Sequence, residues 1–172
     1  INPGKTIVET PQSVNLDFQT GIAENTVAFA NVRWVNWDGF AIRPNAFGQT
    51  VDHISGGGNP DLKGANLVEY NKDQWTINAG VGRKLSEKWG ANISVGWDSG
   101  AGDPVTTLGP TEGYWSLGLG AQFSPAANYF VQGGVKYFWL GDAQGLTASN
   151  DNVGQFKDNH AIGYGMKIGY KF

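Results

Sequence analysis

Four charged residues lie inside stretches of alternating residue type, where a side chain could bind a ligand. Arg33, Lys136 and Lys167 are basic and Asp17 is acidic, and each shares its side of the alternation with small or polar residues. A cation at such a position can bind an anionic group such as a carboxylate. The alternative is that these charges pair with one another and only stabilise the structure.

Three phenylalanines, Phe29, Phe130 and Phe138, fall on the same side as these charges. They could line a path for an apolar molecule, or they could pack against another segment. The sequence does not separate these two roles.

Catalytic and metal-binding patterns are weak. His53 and His160 have no nucleophile, base and orienting group assembled around them by spacing. The stretch SNDNVGQFKDN (149–159) offers oxygen ligands for calcium but lacks the pattern of a dedicated loop, and a polar loop explains it equally well. We therefore predict no enzyme, no cofactor and no metal site, and the sequence leaves calcium binding by the loops open.

The elements that position these residues are β-strands, because successive strand side chains point to opposite faces. Tight turns alternate with long polar, glycine-rich connections at 38–73, 99–113 and 141–158. This pattern predicts an all-β antiparallel fold, with the whole of 1–172 as one barrel segment. The predicted strands lie near 11–22, 26–37, 74–85, 89–98, 114–123, 128–140 and 159–172.

Composition decides which face of the sheet is inside. Only 16% of the residues are charged, against about 25% in typical soluble domains, and 26 are glycine. Trp89 and Trp97 are eight residues apart, which is about 26 Å along a strand and close to the apolar band of about 25 Å between aromatic girdles. We therefore predict a transmembrane barrel of the bacterial outer membrane, with apolar side chains toward lipid and small polar ones toward the lumen.

Arg33, Lys136, Lys167 and Asp17 would then face the lumen, because a basic residue on the lipid face at mid-membrane costs about 2 to 4 kcal/mol. Arg83 has outward parity, which means that it falls on the lipid-facing side of the strand alternation. It lies near a strand end, where its long side chain can reach the membrane interface. The net charge of −3 and the absence of a basic stripe argue against nucleic acid as a partner. Lipid of the outer membrane is an expected partner.

The end of the chain resembles the C-terminal signal that outer-membrane barrels present to the barrel-assembly machinery, a further expected partner. Apolar residues recur at every second position and the last is aromatic. The residues assigned to this signal are Tyr164, Met166, Ile168, Tyr170 and Phe172.

Seven strands are an odd number, whereas single-chain bacterial barrels have even numbers and no edge open to lipid. Ile1 is not an initiator methionine, so we expect a processed, cut or incomplete N-terminus. The favoured expectation is a C-terminal piece of a larger barrel, with the missing N-terminal half as a partner. The less favoured one is a minimal eight-stranded barrel that uses a strand within 1–10, although Pro11 follows it.

The stretch TPQSVNLDFQTGIAENTVAFANVRWVNWDGF (10–40) resembles the FadL/TodX family of outer-membrane transporters. The carriers of the resemblance are Pro11 before a strand, the turn at Glu24 and Asn25, and the aromatic-rich VRWVNW strand. The later NKDQWTINAGVGRKLSEKW hairpin, WDSGAGDP, EGYWSLGLGAQF and GYGMKIGYKF follow in similar order. The resemblance covers nearly the whole chain, but through patterns rather than catalytic motifs.

This resemblance implies the last seven strands of a fourteen-stranded barrel that passes long-chain fatty acids and other hydrophobic small molecules. The family's plug, kinked strand and N-terminal segment have no counterpart in this sequence. Two alternatives remain: a general polar porin, and a soluble ligand-binding β-barrel. Substrate identity and oligomeric state are not predicted.

Overall fold

The computed structural model describes residues 4–57 and 64–170 of the 172-residue chain. Nearly all regular structure is β, with one helix among the described residues. The elements in chain order are β1 (Ser13–Ala23), β2 (Thr26–Val35), β3 (Ala41–Ile42), α1 (Asn45–Gly56), β4 (Val68–Glu69), β5 (Gln74–Lys84), β6 (Trp89–Asp98), β7 (Val105–Thr106), β8 (Tyr114–Ala126), β9 (Tyr129–Leu140), β10 (Ala143–Thr147), β11 (Asn150–Phe156) and β12 (His160–Tyr170).

Seven long strands form one antiparallel sheet, in the order β1, β2, β5, β6, β8, β9, β12. Each strand pairs with its neighbour in the sheet over nearly its full length. All seven predicted strands are confirmed, and their ends in the described residues differ from the predicted ones by no more than three residues. The alternation of tight turns at one end and long connections at the other is confirmed as well.

The two faces of the sheet differ in side-chain type. On β8, Trp115 is 60% and Leu119 53% exposed, whereas Ser116 between them is 2% exposed. We call the side that carries Ser116 the inner face and the side that carries Trp115 the outer face. A soluble sheet would bury its apolar residues, so an apolar outer face of this extent is a surface for lipid.

The inner face is concave. The Nζ of Lys136 on β9 donates a hydrogen bond to Oδ1 of Asn78 on β5, at 3.2 Å. Two strands, β6 and β8, separate β5 from β9. Three inter-strand spacings of about 4.8 Å amount to roughly 14 Å along the sheet, which one lysine side chain spans only across an inward curve.

The aromatic residues of the outer face are in register. Trp97, Trp115 and Trp139 lie directly opposite one another on β6, β8 and β9, at the end of the sheet that carries the long connections. Trp89 lies opposite Phe123 at the turn end, with ring centroids 4.7 Å apart. The predicted aromatic girdles at two levels are therefore present in the sheet.

The long connections form a layer of their own, which we call the loop layer (36–73, 99–113 and 141–159, as far as it is described). It contains α1, a small sheet in the order β11, β10, β7, and the pair β3 and β4. The sequence predicts only polar loops there, and this regular structure is a difference from that expectation. Within residues 4–57 and 64–170, no helix is long and apolar enough to cross a membrane.

Residues 4–12 precede β1 and form no strand, so the alternative of an eighth strand in this stretch is not supported over its described part. In the part of the chain that the structure describes, β1 and β12 each pair on one side only. The sheet is therefore a curved wall with two open edges.

Candidate functional site

The inner face is organised in rows of residues that lie directly opposite one another on neighbouring strands. Two rows near the middle of the sheet surround Lys136 and Ser116. The first row consists of Asp17, Asn31, Asn78, Gly96, Ser116, Phe138 and Ala161, and the second of Gln19, Phe29, Gly80, Ser94, Gly118, Lys136 and Gly163.

Lys136 is the half-buried cation of this face. Besides its hydrogen bond to Asn78, its Nζ lies 5.5 Å from the centroid of the Phe138 ring. Among the described residues, no carboxylate forms an ion pair with it. The ammonium group is thus held by a neutral oxygen and an aromatic ring, which leaves its charge available to an anion.

The other predicted charges also lie on the inner face, but away from Lys136. Arg33 on β2 donates to Oδ1 of Asn15 at 3.0 Å, and Asp17 on β1 accepts from Nδ2 of Asn31 at 2.7 Å. Lys167 on β12 lies 5.9 Å from the Phe130 ring centroid. These residues therefore lie on the inner face without forming one cluster, and their role as ligand-binding residues stays a prediction.

The three inward phenylalanines lie flat against the wall. The Phe29 ring covers Gly80 and the Phe130 ring covers Gly169, each across a strand pair, and a Cβ at either glycine would overlap the ring. Phe138 lies against Gly163, 3.6 Å from the position of a Cβ. Glycine on one strand thus makes room for phenylalanine on the next, which produces smooth apolar patches among the polar side chains of the inner face.

Sequence reasoning missed two residues of this site, Asn78 and Ser116. The Oγ of Ser116 is buried and has no hydrogen-bond partner among the described residues. A Cβ on Gly96 would lie 2.5 Å from both this Oγ and Oδ1 of Asn78, so the two polar groups flank the same gap. Their inward parity was readable from the sequence, but their proximity depends on strand register.

A polar junction joins the inner face to the loop layer. Asp98, 5% exposed at the end of β6, accepts hydrogen bonds from Thr76 Oγ1 at 2.6 Å, Gln74 Nε2 at 2.8 Å and the Gly100 amide at 2.8 Å. Beyond it, Lys72 forms an ion pair with Glu112, whose other carboxylate oxygen accepts from the Gly102 amide. These contacts tether the connection after β6 to the top of β5.

The strand predicted as an assembly signal is open on its outer face. Tyr164 is 89% exposed and Met166 74%, and Ile168 and Tyr170 are also exposed. Phe172, the last residue of the predicted signal, lies outside the described residues. Recognition by assembly machinery stays a prediction.

The two histidines are far apart in the fold. His53 lies in the last turn of α1, while His160 at the start of β12 stacks on Tyr137 with ring centroids 5.8 Å apart. Among the described residues, no group of three or more His, Cys, Asp or Glu side chains could hold a metal ion.

The sequence matches no protein-family model and no curated protein. Among solved structures, a Pseudomonas aeruginosa FadL homologue is similar with a TM-score of 0.55 and 13% identity, over 91% of this chain and 34% of that one. OmpT, an outer membrane protein of Vibrio cholerae, is similar with a TM-score of 0.48 and 13% identity, over 96% of this chain and 47% of OmpT. The Yersinia pestis outer membrane protein Ail is similar with a TM-score of 0.38 and 13% identity, over 96% of this chain and 86% of Ail. The chain therefore spans about a third of the FadL homologue's length.

The prediction that the chain is not an enzyme is wrong as an exclusion. A barrel fold does not decide activity, which depends on a few side chains that the fold can carry or lack. The chain is therefore not classed as non-enzymatic.

The membrane assignment follows from the fold and the outer face together. The fold matches the FadL homologue at low identity, which supports the architecture but not membership of the FadL/TodX family. The exposed outer face, with Ile93 49% and Val135 45% exposed, rules out the alternative of a soluble ligand-binding barrel. The chain supplies seven antiparallel strands of a transmembrane β-barrel of the bacterial outer membrane.

Proposed function

We propose that this chain forms part of the wall of an outer-membrane channel through which hydrophobic compounds diffuse, with long-chain fatty acids as the substrate class. The observation that carries the proposal is the environment of Lys136. Its ammonium group lies on the inner face between a neutral amide and an aromatic ring, without a carboxylate partner among the described residues. A fatty acid needs such a cation for its headgroup and an apolar surface for its tail.

The surface around Lys136 suits a long apolar tail. A cavity of about 620 Å³ lies against the inner face beside Lys136 and reaches Lys167. Glycines line much of it, so the wall is smooth, and Phe138 borders it at one end. An acyl chain could lie along this strip with its carboxylate at Lys136.

Two further cations support a path rather than a single site. Arg33 lies toward the loop layer and Lys167 toward the turn end, so the three cations occupy three depths of the wall. The charges do not pair with Asp17 in the described residues, which weighs against a purely structural role. Arg33 and Lys167 would attract the acid headgroup on either side of Lys136.

The proposal includes a partner sheet. Transmembrane strands cannot leave backbone groups unpaired in lipid, so β1 and β12 require further strands at their open edges. The similar Pseudomonas aeruginosa structure is described as a FadL homologue, and this chain spans 34% of it. We infer that a larger barrel of this kind supplies the rest of the lumen.

Substitution of Lys136 tests the proposal in the intact barrel. Lys136→Gln should weaken fatty-acid binding at least about tenfold, because a charge-assisted hydrogen bond contributes roughly 1.5 to 3 kcal/mol. Arg33→Gln should weaken the binding less. The measurement is equilibrium binding of a fluorescent fatty acid to purified protein. Lys88→Gln, in an exposed tight turn, is the matched control. A fatty alcohol should bind wild type and Lys136→Gln alike, and unchanged fatty-acid affinity in Lys136→Gln would remove this residue from the site.

A general polar pore is the second candidate, since the row of Asn31, Asn78 and Ser116 is hydrophilic. Conductance in a planar bilayer separates the two functions. A hydrophobic-compound channel with an occluded lumen should pass little ion current, whereas large, steady conductance would favour the pore.

A further inference from the structure

A shallow groove crosses the outer face of the sheet at mid-strand depth. Its volume is about 680 Å³, and eight of its twelve lining residues have outward parity. The remaining four belong to the inward row beneath it and contribute backbone to its floor. The small side chains of Ala28, Ala30 and Ala79 form the floor of the groove. Larger side chains form its walls, with Phe18 on one side and Ile93 and Val95 on the other.

The position of the groove decides what can occupy it. It lies on the lipid-facing side of β2 and β5. The Trp34–Trp75 pair lies above it toward the loop layer, and the Thr26–Arg83 pair lies below it toward the tight turns. Phe18 is 60% and Val95 50% exposed there. Because only hydrocarbon reaches this depth of the bilayer, the natural occupant is an acyl chain.

Arg83 supplies the polar end of the site. It is the outward residue of β5 two positions beyond Val81, next to the tight turn, and it is exposed. Within the described residues it has no ion-pair partner. A guanidinium at the membrane interface binds a phosphate by paired hydrogen bonds and by charge.

We propose that this groove and Arg83 together bind one phospholipid of the periplasmic leaflet, with the phosphate on Arg83 and one acyl chain along Ala28, Ala30 and Ala79. The tight-turn end of the sheet is periplasmic, as in outer-membrane barrels, which places Arg83 at the headgroups of that leaflet. The site lies on the face opposite to Lys136, so it stands independently of the transported compound.

The test counts phospholipid retained by the intact protein. Protein in mild detergent is incubated with phosphatidylglycerol, and bound lipid is counted by native mass spectrometry. Arg83→Gln should lower the affinity for phosphatidylglycerol about fivefold, because one basic residue at the membrane interface contributes roughly 1 kcal/mol. Ala79→Phe fills the groove and should lower occupancy at least as much.

Two controls match these changes. Lys84→Gln removes a charge from the next residue of β5, which points inward. Ala121→Phe adds the same ring on the outer face of β8, away from the groove. Both should retain lipid as the wild type does, and resistance to unfolding in cold SDS confirms that each variant is folded.

Equal lipid retention in wild type, Arg83→Gln and Ala79→Phe would overturn the proposal. So would equal loss in Ala79→Phe and Ala121→Phe, which would indicate a general effect on the lipid surface. A lipid-free dimer that Ala79→Phe dissociates would assign the groove to a second copy instead. Fatty-acid affinity should remain unchanged in Arg83→Gln, so a failure here is distinct from a failure of the channel proposal.

Discussion

The transmembrane sheet and the loop layer place their apolar residues in opposite ways. The buried apolar side chains among the described residues are Val35 at the end of β2 and, in the loop layer, Val51, Ala101, Val105 and Ala143. In the sheet, Leu117, Leu119 and Val135 are all exposed while Ser116 is buried. One chain thus follows two rules of burial, and the solvent that each region meets decides which rule applies.

The largest expected effect comes from a charge placed on the lipid-facing side of the transmembrane sheet. Leu117→Arg should lower the free energy of unfolding by about 2 to 4 kcal/mol, because it puts a guanidinium in hydrocarbon near mid-membrane. Denaturant-induced unfolding from phospholipid vesicles, followed by tryptophan fluorescence, measures this. Leu108→Arg, at a loop-layer residue that is 70% exposed, should change the free energy of unfolding by less than about 0.5 kcal/mol. Equal effects at both positions would show that Leu117 does not face lipid.

A smaller effect is expected at the junction of the two regions. Asp98→Ala removes the acceptor of three hydrogen bonds and should lower the free energy of unfolding by about 1 to 3 kcal/mol. Hydrogen exchange at the Gly100 amide should become faster at the same time. Asp17→Ala, an exposed carboxylate with one bond from Asn31, is the control and should leave that amide unchanged. Unaltered exchange at Gly100 in Asp98→Ala would argue that other contacts tether the loop layer.

The smallest effect concerns the core of the loop layer. Val105 is 5% exposed, and Val105→Ala should lower the local stability of the loop layer by about 1 to 2 kcal/mol through the loss of two buried methyl groups. Hydrogen exchange of the Thr107 amide, which donates to the Leu146 carbonyl at 3.2 Å, reports this opening. Val95→Ala on the lipid face is the matched control and should leave that exchange rate unchanged. The same acceleration in both variants would mean that the two regions unfold together.

The sheet was predictable because its information is local. Period-two alternation sets each strand and each face, and tight turns set which strands are neighbours, so the inward parity of Lys136 followed from the sequence. Its contact with Asn78 did not, since these residues are 58 positions apart and meet only through the curvature of four strands. The outer groove was equally hidden, because its floor combines alanines from β2 and β5.

The loop layer was harder to predict for a different reason. Helix α1 begins after Pro44 with no side-chain cap, so the usual signal of a helix start is absent. Arg43 helps to fix it instead, by donating to Asp52 at 2.7 Å and to the Ala65 carbonyl at 3.0 Å. Strands β3, β4 and β7 are two residues long, too short to show any period.

The directions of the two edge strands constrain how this wall can be completed. Because every pair in the seven-strand sheet is antiparallel, β1 and β12 run the same way across the bilayer. A second copy, inserted with its loops on the same side, would bring its β12 against β1 in parallel, at odds with the antiparallel strands of bacterial outer-membrane barrels. Closure therefore calls for an odd number of additional strands whose outermost members point in the reverse direction, which distinguishes a true complement from self-association.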